Sequence, residues 1–392
     1  MSSKRFSIVI LIVSQIGVLG VWFSAAAVLA EMQAEAGLTA ADLAWLSTAT
    51  QVGFGIGALI YAALGLADRY DPRLVFCLSA CASTLANLAL IWVPIGGIEA
   101  IVLRALTGGF LAGVYPVGMK IAVGWGKEDR AMLVGALVGA LTIGSASPYL
   151  LSVIGGSDWR LTVMIASAIA VAGAFAMLTI GLGPYHAKAP KLDVTAITLA
   201  WTNRRIRYAI LGYLGHMWEL YALWAWVGVV AAGSYAAAGG EDVSGLAKAT
   251  AFLAIALGGI VCLPAGVWAD RTGKAKVAAL VLTSSSLFAV LAALGYGGPI
   301  WLMMPILILW GILVIPDSAL FSSLVADAAP PERAGSIMTL QNAIGFLLTA
   351  GTVQVAPIAA EAWGWSTVMA TMAIGPVFGI WCMQRLRAMG SA

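Results

Sequence analysis

Long apolar runs alternate with short polar or turn-rich breaks along almost the whole chain. The runs predict helices near 7–30, 43–66, 73–93, 98–123, 131–155, 160–183, 206–234, 246–269, 275–296, 299–326, 333–358 and 365–385. Each is close to the roughly 20 residues that a helix needs to cross a hydrocarbon layer about 30 Å thick. Within lipid every backbone N–H and C=O must find a partner inside the protein, so apolar runs of this length read as helices. The expected fold class is an all-α integral membrane protein of twelve transmembrane helices. The longest polar break, 184–205, reads as a cytoplasmic linker between an N-terminal six-helix half, 1–183, and a C-terminal six-helix half, 206–392.

Composition agrees: the chain is 61% hydrophobic and 10% charged, with mean hydropathy +0.96, where soluble domains carry about 25% charged residues. The apolar run after Lys4 and Arg5 is too long for the core of a cleavable signal and reads as a spanning helix. A formal charge of +3 with no basic stripe clear of the spans argues against nucleic acid as a partner. Placement of the charge says more. With the N-terminus in the cytoplasm, seventeen Lys and Arg fall in the inner breaks and two, Arg160 and Lys248, in the outer ones. The positive-inside rule therefore expects both termini on the cytoplasmic side of the cell membrane. Cys77, Cys81, Cys262 and Cys382 all lie in apolar runs and read as small buried hydrophobes, not as a disulfide set or metal site.

The two halves repeat. "LGLADRYDPR" follows the second span and "GVWADRTGKAK" the eighth, with their Asp-Arg pairs 202 residues apart. "DWR" at 158–160 and "GWS" at 364–366 precede the sixth and twelfth spans, 206 apart, and Pro116 and Pro316 lie 200 apart. A duplicated six-helix unit is the pattern of a secondary transporter.

On these residues the sequence resembles the major facilitator superfamily. The second-half loop, with Gly266, Asp270, Arg271, Gly273 and Lys274, is similar to the family's G-x-x-x-D-R-x-G-[RK] signature. The first-half copy keeps Asp68, Arg69 and Arg73 but has Leu64 and Asp71 where the family usually has glycine. The fourth span carries Arg104, Gly108, Gly109 and Gly113, like the family's R-x-x-x-G segment, and "GALVGALTIGSASP" in the fifth resembles its glycine–proline segment. The resemblance implies that spans 1, 4, 7 and 10 surround a central cavity and that rocking of the halves alternates access to it. It also implies a gating role for Asp68, Arg69, Arg73, Asp270, Arg271 and Lys274.

Charged side chains deep in a bilayer are costly and mark function. Arg104 and Lys120 in the fourth span, Glu219 and His216 in the seventh and Asp317 in the tenth fall well inside their runs. Helical phase at 100° per residue puts His216, Glu219, Leu223 and Trp226 on one stripe. It likewise groups Arg104, Gly108, Leu111 and Tyr115, and places Gln15 on a face with Trp22. Lys120 falls on the opposite face from Arg104, so it either enters the cavity through a kink at Pro116 or snorkels to the cytoplasmic edge. Gln341 and Asn342 in the eleventh span either bind substrate or bridge helices. Glu219 and His216 read either as a proton-relay or substrate-binding pair, with Glu219 orienting the imidazole, or as a purely structural hydrogen-bond pair; two ligands make a poor metal site, and no cofactor is expected.

Basic groups in the first half and acids in the second fit two readings. They pair across the midline, or a basic group holds an anion while a carboxylate carries a proton. The expected function is a proton-coupled secondary transporter of a small organic anion such as a carboxylate, working as a monomer in the lipid bilayer. The alternative is a proton-driven efflux pump for amphipathic or cationic compounds. Absence of a nucleophile–base pair, phosphate loop or metal cluster argues against an enzyme.

Overall fold

The computed structural model describes residues 3–126, 129–156, 158–186 and 192–390; positions 187–191 of the expected linker lie outside them. The described residues form helices joined by short turns. The chain divides into two units, Met1–Lys191 and Leu192–Ala392.

The first unit contains α1 (Lys4–Leu19), α2 (Leu29–Ala36), α3 (Ala40–Leu64), α4 (Leu66–Arg69), α5 (Pro72–Ala89), α6 (Ile98–Leu111), α7 (Tyr115–Trp125), α8 (Arg130–Gly155) and α9 (Trp159–Ala176). Local chemistry starts these helices where the polar breaks predict. Thr39 and Asp42 form a reciprocal capping box ahead of α3. Asp71 accepts the Arg73 backbone N–H ahead of Pro72, which occupies the first turn of α5, where its missing N–H costs nothing. The second unit contains α10 (Leu199–Thr202), α11 (Arg204–Ala237), α12 (Ser244–Thr272), α13 (Lys274–Gly295), α14 (Ile300–Leu313), α15 (Ser318–Ala328), α16 (Pro331–Met372) and α17 (Ile374–Ala388).

Among the described residues, ten helices are long and apolar enough to cross a membrane. Twelve were expected, and two particular places make the difference. The expected first span, 7–30, stops as a helix at Leu19, and α1 has only 16 residues. The expected eleventh and twelfth spans form one run, because the backbone passes from one to the other at Gly364 with φ +78°, a left-handed conformation that glycine adopts without strain. The fourth span is broken between α6 and α7, and the tenth between α14 and α15. The sequence repeat thus reappears as a repeat of helix breaks.

Packing repeats as well. In the first unit α1 lies against α8 and α9, α3 against α6, and α5 against α6 and α9. In the second, α11 lies against α16 and α17, α12 against α14, and α13 against α14 and α17. The tightest approach of α3 to α6 is made by glycine. A Cβ on Gly108 would meet the Thr50 carbonyl, and one on Gly53 the Ala105 carbonyl, so the two backbones touch directly. The "DWR" landmark ties the start of α9 to the end of α2. Arg160 donates to both oxygens of Glu35 at 2.7 and 2.6 Å, and Trp159 Nε1 donates to it at 2.8 Å.

Gly108→Ala is expected to lower stability by about 1–3 kcal/mol through backbone overpacking, read as a fall in melting temperature of the purified protein in detergent. The Arg160 and Trp159 bonds hold the Glu35 carboxyl down at about 2, below its ordinary 4.5. A carboxylate with a lowered folded-state value stabilises the fold fully above its unfolded value and loses that contribution as pH falls toward the folded one. The melting-temperature gap between the native protein and Glu35→Gln should therefore be constant above about pH 5 and close between 4.5 and 2.

Candidate functional site

Each unit buries a cluster of polar side chains around an ionisable group, and the two clusters differ in charge. In the first, α1 ends at Leu19 and the chain turns through Gly20–Ala25 before continuing helically. A broken helix in lipid leaves carbonyls without their i+4 donors. Arg104, 1% exposed on α6, supplies those donors. Its Nη1 donates to Val21 O at 3.2 Å, its Nη2 to Trp22 O at 2.5 Å and its Nε to Leu46 O at 3.2 Å. Nη1 also donates to Asn87 Oδ1 at 3.0 Å, which accepts Ser24 Oγ at 2.8 Å, and Asn87 Nδ2 donates to Ser167 Oγ at 3.2 Å. Five of the unit's spans meet in this network.

Arg104 was expected as an anion anchor; in the structure four of its five N–H groups are bonded inside its own unit, where they strap the break in the first span. Trp22 belongs to the same break. Its Nε1 donates to Gln51 Oε1 at 3.0 Å and its ring packs 4.6 Å from that of Phe54. The shared face of Gln15 and Trp22 presupposed one straight helix, which ends at Leu19. Gln15 is fully buried with no hydrogen-bond partner for its amide, directly against Gly118. Tyr115 likewise leaves the Arg104 stripe, because α6 ends at Leu111 and Tyr115 starts a new helix.

Lys120 settles with the first-copy loop: its Nζ donates to Asp68 Oδ1 and, at 2.9 Å, to Ala67 O. Of the two alternatives, these contacts are those expected for a side chain that reaches the end of its span, on the face opposite Arg104. The loop copies differ in detail. In the first, Arg73 grips Asp71 and donates to Ile180 O at 2.8 Å, while Arg69 is exposed. That grip holds the Asp71 carboxyl below its usual range. In the second, Lys274 pairs with Asp327 at 2.6 Å, and Asp270 and Arg271 are exposed with no ion pair to another described residue. Gly273 takes φ +101°, whereas Asp71 at the matching first-copy position has φ −60° and caps α5 instead. The departure at Asp71 thus has a physical reason.

The second unit's cluster is acidic. Glu219 lies midway along α11 and is 1% exposed. Its Oε1 accepts Trp310 Nε1 from α14 at 2.5 Å and Ser285 Oγ from α13. Asp317 is fully buried at the break between α14 and α15, and its Oδ1 lies 3.0 Å from His216 Nδ1. Glu219 therefore does not orient His216; the expected His216–Glu219 pair is replaced by His216–Asp317, with Glu219 one helical turn along α11. Ser285 was missed because a serine in an apolar run carries no distinctive signal. Phe321 on α15 covers the imidazole at a ring distance of 5.8 Å. Glu219 Oε2, Asp317 Oδ2 and His216 Nε2 are buried without a hydrogen-bond partner. Among the described residues, no Lys or Arg lies within ion-pair distance of either acid.

Trp226 lies outside this cluster: its Nε1 donates to Val353 O at 3.0 Å and its ring packs 5.8 Å from Trp365. Gln341 is buried with its amide unpartnered, and Asn342 is half-buried. Among the described residues, no group of three or more His, Cys, Asp or Glu is arranged to hold a metal ion.

Arg104→Met should strand the Trp22 carbonyl, take the guanidinium donor from Asn87 Oδ1 and leave Val21 O with Ser24 Oγ alone, costing about 1–3 kcal/mol. It should also raise hydrogen exchange across 20–25, with Arg104→Lys recovering only part of the loss.

No curated protein matches the chain. Solved structures share its fold at low identity. The nucleoside transporter NupG aligns with TM-score 0.77 and 14% identity, over 98% of this chain and all of that one. A D-xylose-proton symporter aligns with TM-score 0.76 and 14% identity, over 98% and 97%. A bacterial homologue of the human lysosomal transporter Spinster aligns with TM-score 0.73 and 14% identity, over 100% of both. The family model described as Major Facilitator Superfamily matches residues 11–352. With that match over most of its length, and two copies of a six-span packing pattern, the chain belongs to the major facilitator superfamily and is a multi-pass secondary transporter.

Proposed function

We propose that this transporter is proton-coupled and that the His216–Asp317–Glu219 cluster is where the proton binds. The carrying observation is the charge balance of that cluster. Two carboxylates and one imidazole are buried midway along their spans with, among the described residues, no Lys or Arg beside them. A protonated imidazole offsets one carboxylate; the other is left uncompensated in a low-dielectric interior unless a proton joins it. Such a site exchanges protons with whichever aqueous side it meets as access alternates. The two acids interact, so their protons belong to the cluster and not to one residue.

The organic-anion expectation rested on Arg104 and Lys120, and both are engaged by protein acceptors. An acidic cluster with unpartnered oxygens instead favours a cationic or amphipathic substrate that competes with protons, the arrangement of an exchanger. The protein is proposed to work in the cell membrane with both termini cytoplasmic, on the strength of its inner-break arginines and lysines.

The test is reconstitution in vesicles with an imposed pH gradient and two panels, labelled carboxylates and lipophilic cations. Gradient-driven movement of cations is the expected result. Movement of carboxylates alone overturns the substrate class, and indifference to the gradient overturns proton coupling. Glu219→Gln keeps an Oε1 acceptor for Trp310 and Ser285, so it should fold and exchange substrate in counterflow while losing accumulation driven by the gradient.

A further inference from the structure

The second unit carries a surface feature that the transport cycle does not use. One exposed face of α17 runs Ile374, Phe378, Trp381, Arg385, positions at i, i+4, i+7 and i+11. It is apolar for about two turns, with exposures of 60%, 43% and 42%, and ends one turn later in a guanidinium. Arg385 lies over the Trp381 ring at 5.5 Å, and Phe378 stacks on the same ring at 5.8 Å. From α11, Tyr208 meets Trp381 edge-on at 5.7 Å, with Arg207 5.9 Å from the Tyr208 ring centre. Arg204 stands one helical turn before Tyr208.

Arg205 fixes this arrangement. Its Nη2 donates to Met389 O at 3.2 Å and Gly390 O at 2.8 Å, tying the end of α17 to the start of α11. Among the described residues, no carboxylate comes within ion-pair distance of Arg204, Arg207, Arg385 or Arg387. Among the described residues, the concentrated positive charge therefore has no ion-paired counter-charge in its own unit. A guanidinium held against an aromatic face keeps its N–H edges directed outward, where a phosphate accepts them bidentately.

We propose that this face binds an anionic phospholipid. The phosphate sits between Arg385, Arg207 and Arg204, and an acyl chain lies along Trp381, Phe378 and Ile374. Basic clusters at a bilayer surface attract anionic headgroups at about 1 kcal/mol per Lys or Arg. The aromatic shelf adds a fixed position that a diffuse charge lacks. The proposal rests on the membrane placement of these spans and not on proton coupling, so the two fail separately.

The test uses full-length protein in vesicles containing equal phosphatidylglycerol and phosphatidylcholine, extracted and analysed by native mass spectrometry, with melting temperature as a second readout. Preferential retention of phosphatidylglycerol and stabilisation by it are expected. Arg385→Gln removes an exposed side chain with no hydrogen-bond partner among the described residues, and should cut the preference roughly fivefold. R204Q/R207Q/R385Q together should abolish it, and the triple Lys replacement should restore most of it. Equal retention of both lipids, or an unchanged preference in Arg385→Gln, overturns the proposal. So does stabilisation by glycerol 3-phosphate equal to that by the lipid, because the site would then recognise a soluble anion alone.

Discussion

A carbonyl stripped of its donor inside a membrane has no water to turn to, and this constraint governs how the chain is built. Each unsatisfied group costs several kcal/mol in lipid, so a span can be broken only where something replaces the lost bonds. The first span breaks after Leu19, and the replacement is a buried arginine from a neighbouring span. Arg104 is thus held by backbone geometry. Its own burial is made tolerable by the same carbonyls it satisfies, which is why no carboxylate is needed beside it.

The second unit solves the matching problem differently, and the difference has functional weight. Its tenth span breaks between Leu313 and Ser318, with Asp317 at the start of the new helix and His216 against it. There each acid keeps one oxygen without a donor among the described residues, whereas the carbonyls of the first unit take up most of Arg104. One duplicated scaffold therefore carries a nearly saturated basic strap in one copy and an unsaturated acidic cluster in the other. The loop copies diverge in the same spirit. Asp71 caps a helix and grips Arg73, while Gly273 turns the chain through a positive φ and leaves Lys274 to reach Asp327.

Aromatic side chains divide between these roles. Trp310 and Trp22 donate to buried side-chain oxygens and hold polar clusters in place. Trp226 instead closes a helix contact through Val353 O. Trp381 is exposed and presents its face to an arginine at the end of a span. The indole is amphipathic, and its surroundings decide whether the N–H or the ring does the binding.

The sequence by itself determined the class, most of the spans and the duplication, because hydrophobic length, charge placement and internal repeats are properties of residues taken in order. It also picked out the buried ionisable residues, since charge in an apolar run is visible without coordinates. Who bonds to whom was decided only by tertiary structure. Helical phase put His216 with Glu219, but phase describes one straight helix and says nothing of what the neighbouring helix presents. Asp317 and Ser285 arrive from other spans, and they set the pairing. For the same reason Gln15 and Trp22, or Arg104 and Tyr115, shared a face only on helices that the folded chain breaks. A break is invisible in an apolar run because its stability comes from a donor, here Arg104, about eighty residues away.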